Sequence, residues 1–192
     1  MKYTLLFRIW HWLNAFVVLA LLGTVFLRKT FLSKHDNADI LSNKLFEMGI
    51  EITEKQGIVL AKSIRSVMWE WHILLGYALA FLVLYRIYLY FFDKSIRVKF
   101  NSLNIHHKIV KISYYIVYII LGFLVVSGLV IHFYQDLGLS KGFAHDIKEL
   151  HDLAYVVVLY FTPLHIFGVM IADAKEDNGL ISTMIHGKRI NK

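Results

Sequence analysis

Near its end the chain carries LHDLAYVVVLYFTPLHIFGVMIA, residues Leu150 to Ala172. The run is apolar enough to span a membrane, yet it holds two histidines, His151 and His165. They are 14 residues apart. At about 100° per residue that is roughly 40° short of four turns, so both rings leave one helix face, about 21 Å apart along the axis. One spanning helix thus offers an imidazole near each side of a hydrocarbon core about 30 Å thick. Ionisable side chains are costly there and mark a partner or a function. The partners must come from the rest of the chain.

Three further apolar blocks are present. The spans read as about 9–27, 67–92, 109–133 and 150–172. The first follows Lys2 and Arg8, and no small-residue cleavage site ends it, so it reads as a retained span rather than a signal peptide. With 57% hydrophobic residues and a mean hydropathy of +0.55, the chain falls in the membrane class. The expectation is an all-α integral membrane protein. Its fold is a four-transmembrane-helix bundle forming one domain over residues 1–192. The net charge of +7 then fits basic loops against anionic lipid rather than nucleic acid. The absence of cysteine excludes disulfides, cysteine-ligated iron–sulfur clusters, thiolate haem ligation and covalent c-type haem.

Residues 30–66 form a mixed, polar loop between the first two spans. Ile40, Leu41, Leu45 and Phe46, then Ile58 to Ile64, recur at roughly helical spacing. One or two interfacial helices are expected over residues 40–65, capping the outer side. The loop between spans two and three is densely basic, with Arg86, Lys94, Arg97, Lys99, Lys108 and Lys111, whereas the next loop has only Lys141 and Lys148. That asymmetry puts both termini in the cytoplasm.

Topology then pairs the histidines by depth. His11 starts an outward-running span and His72 an inward-running one. Span four runs inward and carries His151 near its start and His165 deeper. His11 matches His165 on the inner side, and His72 matches His151 on the outer side. Two bis-histidine haems follow, one per side, with those residues as the iron ligands. Bis-imidazole ligation leaves no open iron position and suits electron transfer. A single interfacial histidine is ordinarily just a snorkelling polar group, but four matched in depth on three helices are hard to reach by accident. Two separated histidine pairs do not make a closed zinc site. His132, at the end of span three, is the rival for the outer iron.

Other residues fit such a pocket less specifically. Gly76 and Gly168 follow His72 and His165 by about one turn. They let a macrocycle approach the backbone or, equally, let helices pack closely. Arg86 shares the face of His72 at the inner end and either pairs with a haem propionate or snorkels. Trp10, Trp12, Trp69 and Trp71 read as interfacial aromatic belts. Pro163 is expected to bend span four before His165. Asn14 and Tyr114 are polar residues within or near the inner half of the spans. Glu70, Asp146, Glu149 and Asp152 cluster in sequence near the outer ligands, and either form an acidic rim that steers a basic partner or simply solvate the loop ends.

A basic residue followed by His-Trp (Arg8, His11, Trp12), the run Trp71-His72-x3-Gly76-Tyr77, and His151-x13-His165 resemble the bacterial cytochrome b561 superfamily. The tail Ile181-Ser-Thr-Met-Ile-His-Gly-Lys-Arg189 resembles the ending of b-type cytochrome subunits of nickel–iron hydrogenases. The resemblance covers all four spans. It implies two b haems on His11, His72, His151 and His165 in a multi-pass protein of the bacterial cytoplasmic membrane. It also implies electron exchange between a membrane quinone and an external redox protein, such as a hydrogenase. The long first loop departs from the most compact members. Two other functions compete. One is a stand-alone cytochrome that oxidises quinol and reduces a small acceptor such as oxygen. The other is a non-redox membrane anchor or transporter whose histidines relay protons. The sequence permits an oligomer.

Overall fold

The structure is a computed structural model that describes residues 3–93, 104–175 and 179–188. Lys2, Lys94, Arg97, Lys99 and Arg189 lie outside the described residues. The described chain is all-helical: α1 (Leu5–Lys29), α2 (Lys34–Glu47), α3 (Glu54–Phe92), α4 (Ile105–Phe133), α5 (Lys141–Lys175) and α6 (Leu180–His186). Four of them, α1, α3, α4 and α5, are long and apolar enough to cross a membrane. They carry large apolar side chains on their surfaces: Phe16, Phe81, Ile119 and Leu164 are 68–72% exposed. In water such residues would be a liability; in lipid they are the solvated face.

Helix ends are set by caps rather than by the limits of the apolar runs. Asn104 caps α4, its Oδ1 accepting from His107 N at 2.9 Å. His106 and His107, read from sequence as loop residues, therefore sit in the first turn of α4. Ser140 caps α5, its Oγ accepting from Phe143 N at 3.1 Å, so α5 opens at Lys141 and not at Leu150. α3 opens at Thr53. Its hydroxyl accepts from Gln56 N at 3.4 Å, while Gln56 Oε1 accepts from Thr53 N at 2.8 Å, a reciprocal capping box. The aliphatic stretch from Ile58 to Ile64 is thus the first part of α3 and not a separate helix. With 39 residues, α3 is about 58 Å long, nearly twice a hydrocarbon core.

The chain divides into two compact units, Met1–Ala15 with Leu79–Lys192, and Phe16–Ala78. In the second, α2 lies on the early part of α3 through small residues. Ala38 and Ala61 are 3% and 1% exposed, and a Cβ on Gly57 would stand 2.8 Å from Ser42 Oγ. α2 ends in a glycine turn: Gly49, at φ +79°, and Ile50 donate back to Phe46 and Leu45.

In the first unit, α4 and α5 pack along each other. Phe7, Trp10, Leu82, Leu89, Val117 and Leu121 form its buried core. Trp10 is 3% exposed, and its Nε1 donates to Leu82 O at 2.8 Å. It is a core residue and not part of an aromatic belt. Trp12 and Trp71, at 50% and 59% exposure, remain at the surface.

Candidate functional site

At the end of the first unit where α1 begins, His11 on α1 faces His165 on α5. Their ring centres are 6.3 Å apart and their planes differ by 57°. His165 is framed by Phe161, one turn earlier on α5 and nearly parallel at 5.6 Å, and by Tyr114 of α4, edge-on at 5.7 Å. Trp12 meets the His11 ring edge-on at 5.2 Å. Both histidines are half-buried.

Polar atoms at this end are left without protein partners. His11 Nδ1, Asn14 Oδ1, Arg8 Nε, and Arg86 Nε and Nη1 are buried and find no hydrogen-bond partner among the described residues. Arg86 does not reach outward. Its guanidinium lies over the rings of Tyr118, Trp10 and Phe7, at 4.9, 5.3 and 5.4 Å from their centres. Cation–π contact explains how the guanidinium tolerates this site, but it does not satisfy the in-plane donors on Nε and Nη1.

The short α6 is tied to α1 on either side of His11. Arg8 Nη1 donates to Ile185 O at 3.0 Å, and Trp12 Nε1 donates to Met184 O at 3.3 Å. Asp173 Oδ1 accepts from Ile181 N at 2.9 Å, holding the start of α6 near the end of α5. Most of the tail singled out in the sequence is therefore a docked helix rather than a free end.

The remaining two histidines each have a hydroxyl neighbour in their own unit. His72 Nδ1 is 2.7 Å from Thr24 Oγ1, and Trp69 lies edge-on to its ring at 5.4 Å, with Arg28 over the indole. His151 Nδ1 is 2.8 Å from Ser127 Oγ, and a Cβ on Gly128 would come within 3.4 Å of its Cε1. Thr24, Ser127 and Gly128 were not singled out in the sequence. The available signal was a hydroxyl or a glycine inside an apolar span at a histidine's depth. A Cβ on Gly76 or Gly168 would meet nothing within 4 Å among the described residues.

His132 ends α4 exposed, against Phe133. His35, His106 and His186 are also exposed. Asp152 pairs with Lys148 at 2.6 Å and Glu149 lies 3.7 Å from His145, all on α5; Asp146 and, in the other unit, Glu70 are exposed.

Among the described residues no three His, Cys, Asp or Glu side chains converge on a metal site. A haem does not require this, because the macrocycle supplies the equatorial nitrogens and the protein only the axial pair. With metal–nitrogen bonds of about 2 Å and a ring nitrogen about 1 Å from its ring centre, imidazoles on opposite sides of one iron have centres roughly 6 Å apart. The His11–His165 separation fits that arrangement, and the unpartnered guanidinium donors of Arg86 fit an anionic substituent nearby. No curated protein and no solved structure matches this sequence. A family-wide sequence model described as prokaryotic cytochrome b561 matches residues 2–187. The match takes in all four spanning helices and every histidine discussed, and the chain belongs to the prokaryotic cytochrome b561 family of multi-pass bacterial membrane proteins, which carry electrons through haem b.

Proposed function

We propose that this cytochrome holds two b haems and passes electrons across the cytoplasmic membrane between the quinone pool and a redox protein outside it. The inner haem is held by His11 and His165. The observation that carries this is the 6.3 Å separation of their rings on two different helices. The outer haem is assigned to His72 and His151, from their matching depth in the sequence. Both termini then lie in the cytoplasm. When bound, such a haem accepts and releases one electron without opening a coordination position.

The chain's own residues orient and insulate. Phe161 and Tyr114 fix the His165 ring by stacking and edge contact. Arg86, held over three rings, offers its in-plane donors to a haem carboxylate, and burial makes that pairing stronger than it would be in water. Asn14, with a buried unpartnered oxygen, and Tyr114 are the polar groups offered to a quinone on the inner side. The tail resemblance favours a hydrogenase as the outer donor, with electrons running from the outer to the inner haem.

The test is a reduced-minus-oxidised spectrum with haem stoichiometry on purified protein. Two haems per chain are expected in the wild type. His11→Ala should remove the inner haem and His72→Ala the outer one. Colourless protein would return the chain to the anchor or transporter class. Haems reduced by quinol but by no external protein would favour the stand-alone cytochrome.

A further inference from the structure

We infer that Thr24 and Ser127 are positioning residues: each hydroxyl accepts the Nδ1 proton of its histidine, and so presents the Nε2 lone pair of His72 and of His151 as the iron ligand. This rests on the ligand assignment proposed above.

The protons can be placed by elimination. Thr24 Oγ1 is 2.6 Å from Leu21 O and 2.7 Å from His72 Nδ1. A carbonyl only accepts, so the single hydroxyl proton points to Leu21. The lone pair of Thr24 then faces the ring, and Nδ1 must be the donor. A neutral imidazole carries one N–H, so Nε2 keeps its lone pair. Ser127 repeats the pattern on a different helix. Its Oγ is 2.7 Å from Phe123 O, 3.3 Å from Leu124 O and 2.8 Å from His151 Nδ1.

Serine and threonine bonding back to a carbonyl three or four residues earlier is ordinary in helices. Here the back-bond does a second thing: it fixes the hydroxyl rotor so that only an acceptor faces the histidine. Thr24 and Ser127 are 7% and 3% exposed, so water does not compete for either bond. The His11 ring shows no such bond: its Nδ1 is buried without a hydrogen-bond partner among the described residues.

A hydrogen bond from the distal N–H of a ligating histidine fixes the ring and raises its basicity. A more basic ligand favours the oxidised metal. Removing one such bond should change the oxidised-to-reduced ratio at a fixed potential by roughly fivefold, which at about 59 mV per decade is a rise of about 40 mV in the midpoint.

The experiment is a redox titration of the full-length, haem-loaded protein, with haem content measured alongside. Thr24→Val keeps the shape of the side chain without the hydroxyl, Thr24→Ser keeps the hydroxyl, and Ser127→Ala removes the other. Thr24→Val and Ser127→Ala should each raise the same one of the two midpoints. The other midpoint and the haem content should stay unchanged, and Thr24→Ser should titrate as the wild type. An unmoved midpoint in fully loaded Thr24→Val and Ser127→Ala overturns the inference. So does a Thr24→Ser shift equal to that of Thr24→Val, since shape and not the hydroxyl would then be responsible. If Thr24→Val does not fold, Ser127→Ala decides alone. His72→Ala separates the two levels: if it leaves both haems bound, the ligand assignment fails, whatever the hydroxyls do.

Discussion

The indole of Trp10 donates to the main-chain carbonyl of Leu82 at 2.8 Å, joining the start of α1 to the second half of α3. The carbonyl belongs to a helix and already accepts along the helix axis, so the bond is an addition and not a rescue. Trp10→Phe keeps a ring and loses the donor. The net loss should be about 1 kcal/mol for the hydrogen bond, plus a packing term for the smaller ring. Thermal unfolding in detergent should show a lowered midpoint. Trp71→Phe, at an exposed position, should leave it nearly unchanged. Equal effects from the two changes would mean that Trp10 is no more structural than a surface tryptophan.

Arg86 predicts a reversal of sign. A half-buried cation with Nε and Nη1 unpartnered among the described residues is unfavourable, and three aromatic faces offset only part of that. If a haem carboxylate completes its fork, the same charge becomes stabilising once the haem is bound. Arg86→Met retains much of the side-chain volume and removes the charge. It should stabilise the haem-free protein and destabilise the loaded protein, each by about 1–3 kcal/mol. Paired melts of the two forms test this. Stabilisation in both forms would show that Arg86 has no anionic partner.

What the sequence made legible was the part written in hydrophobicity. Four apolar blocks predicted four spanning helices, and among the described residues four helices are long and apolar enough to cross a membrane. His11 and His165 were matched by depth alone, and their rings do meet. What was missed was written in short polar signals. Thr53-x-x-Gln56 is a capping box that starts α3 well before its apolar run, and Ser140 does the same for α5. A reading that follows hydropathy starts each helix where lipid contact begins and passes over the caps. Trp10 was assigned to an interface because its residue type favours one, and Arg86 was left between a haem propionate and snorkelling. Their inward placement depends on which aromatic rings neighbouring helices bring to them, and a single sequence does not display that.

The capping box carries its own prediction. Thr53→Ala removes the acceptor for Gln56 N and half of the reciprocal pair, a loss of about 1 kcal/mol at the helix start. The effect should be local. Amide exchange should quicken over the first turns of α3 and, through the Gly57 contact with Ser42, in α2. The haem spectrum should not change. Protection unaltered in both helices would mean that packing by Ala38 and Ala61 alone fixes the hairpin.

Gly187 gives the last prediction, because two independent restrictions meet there. Its φ of +76° lies in the left-handed region, where a side chain is strained, and a Cβ would stand 2.8 Å from Arg8 Nη1 and 3.0 Å from Cζ. That guanidinium donates to Ile185 O, one of two bonds that hold α6 against α1 on either side of His11. Gly187→Ala must therefore either move Arg8 or unwind the end of α6. The backbone strain alone is about 1 kcal/mol, and the displaced hydrogen bond adds about as much again. Amide exchange within α6 should quicken several-fold or more. Because Arg8 lies three residues before His11, the spectrum of the inner haem should broaden or shift while the outer one stays as it is. Arg8→Met with Gly187 intact should release α6 in the same way without strain at residue 187. Combining the two changes should then cost less than their sum, since the alanine no longer meets a guanidinium. Full additivity would mean that Gly187 and Arg8 act on α6 separately, and that the close approach between them carries no energy.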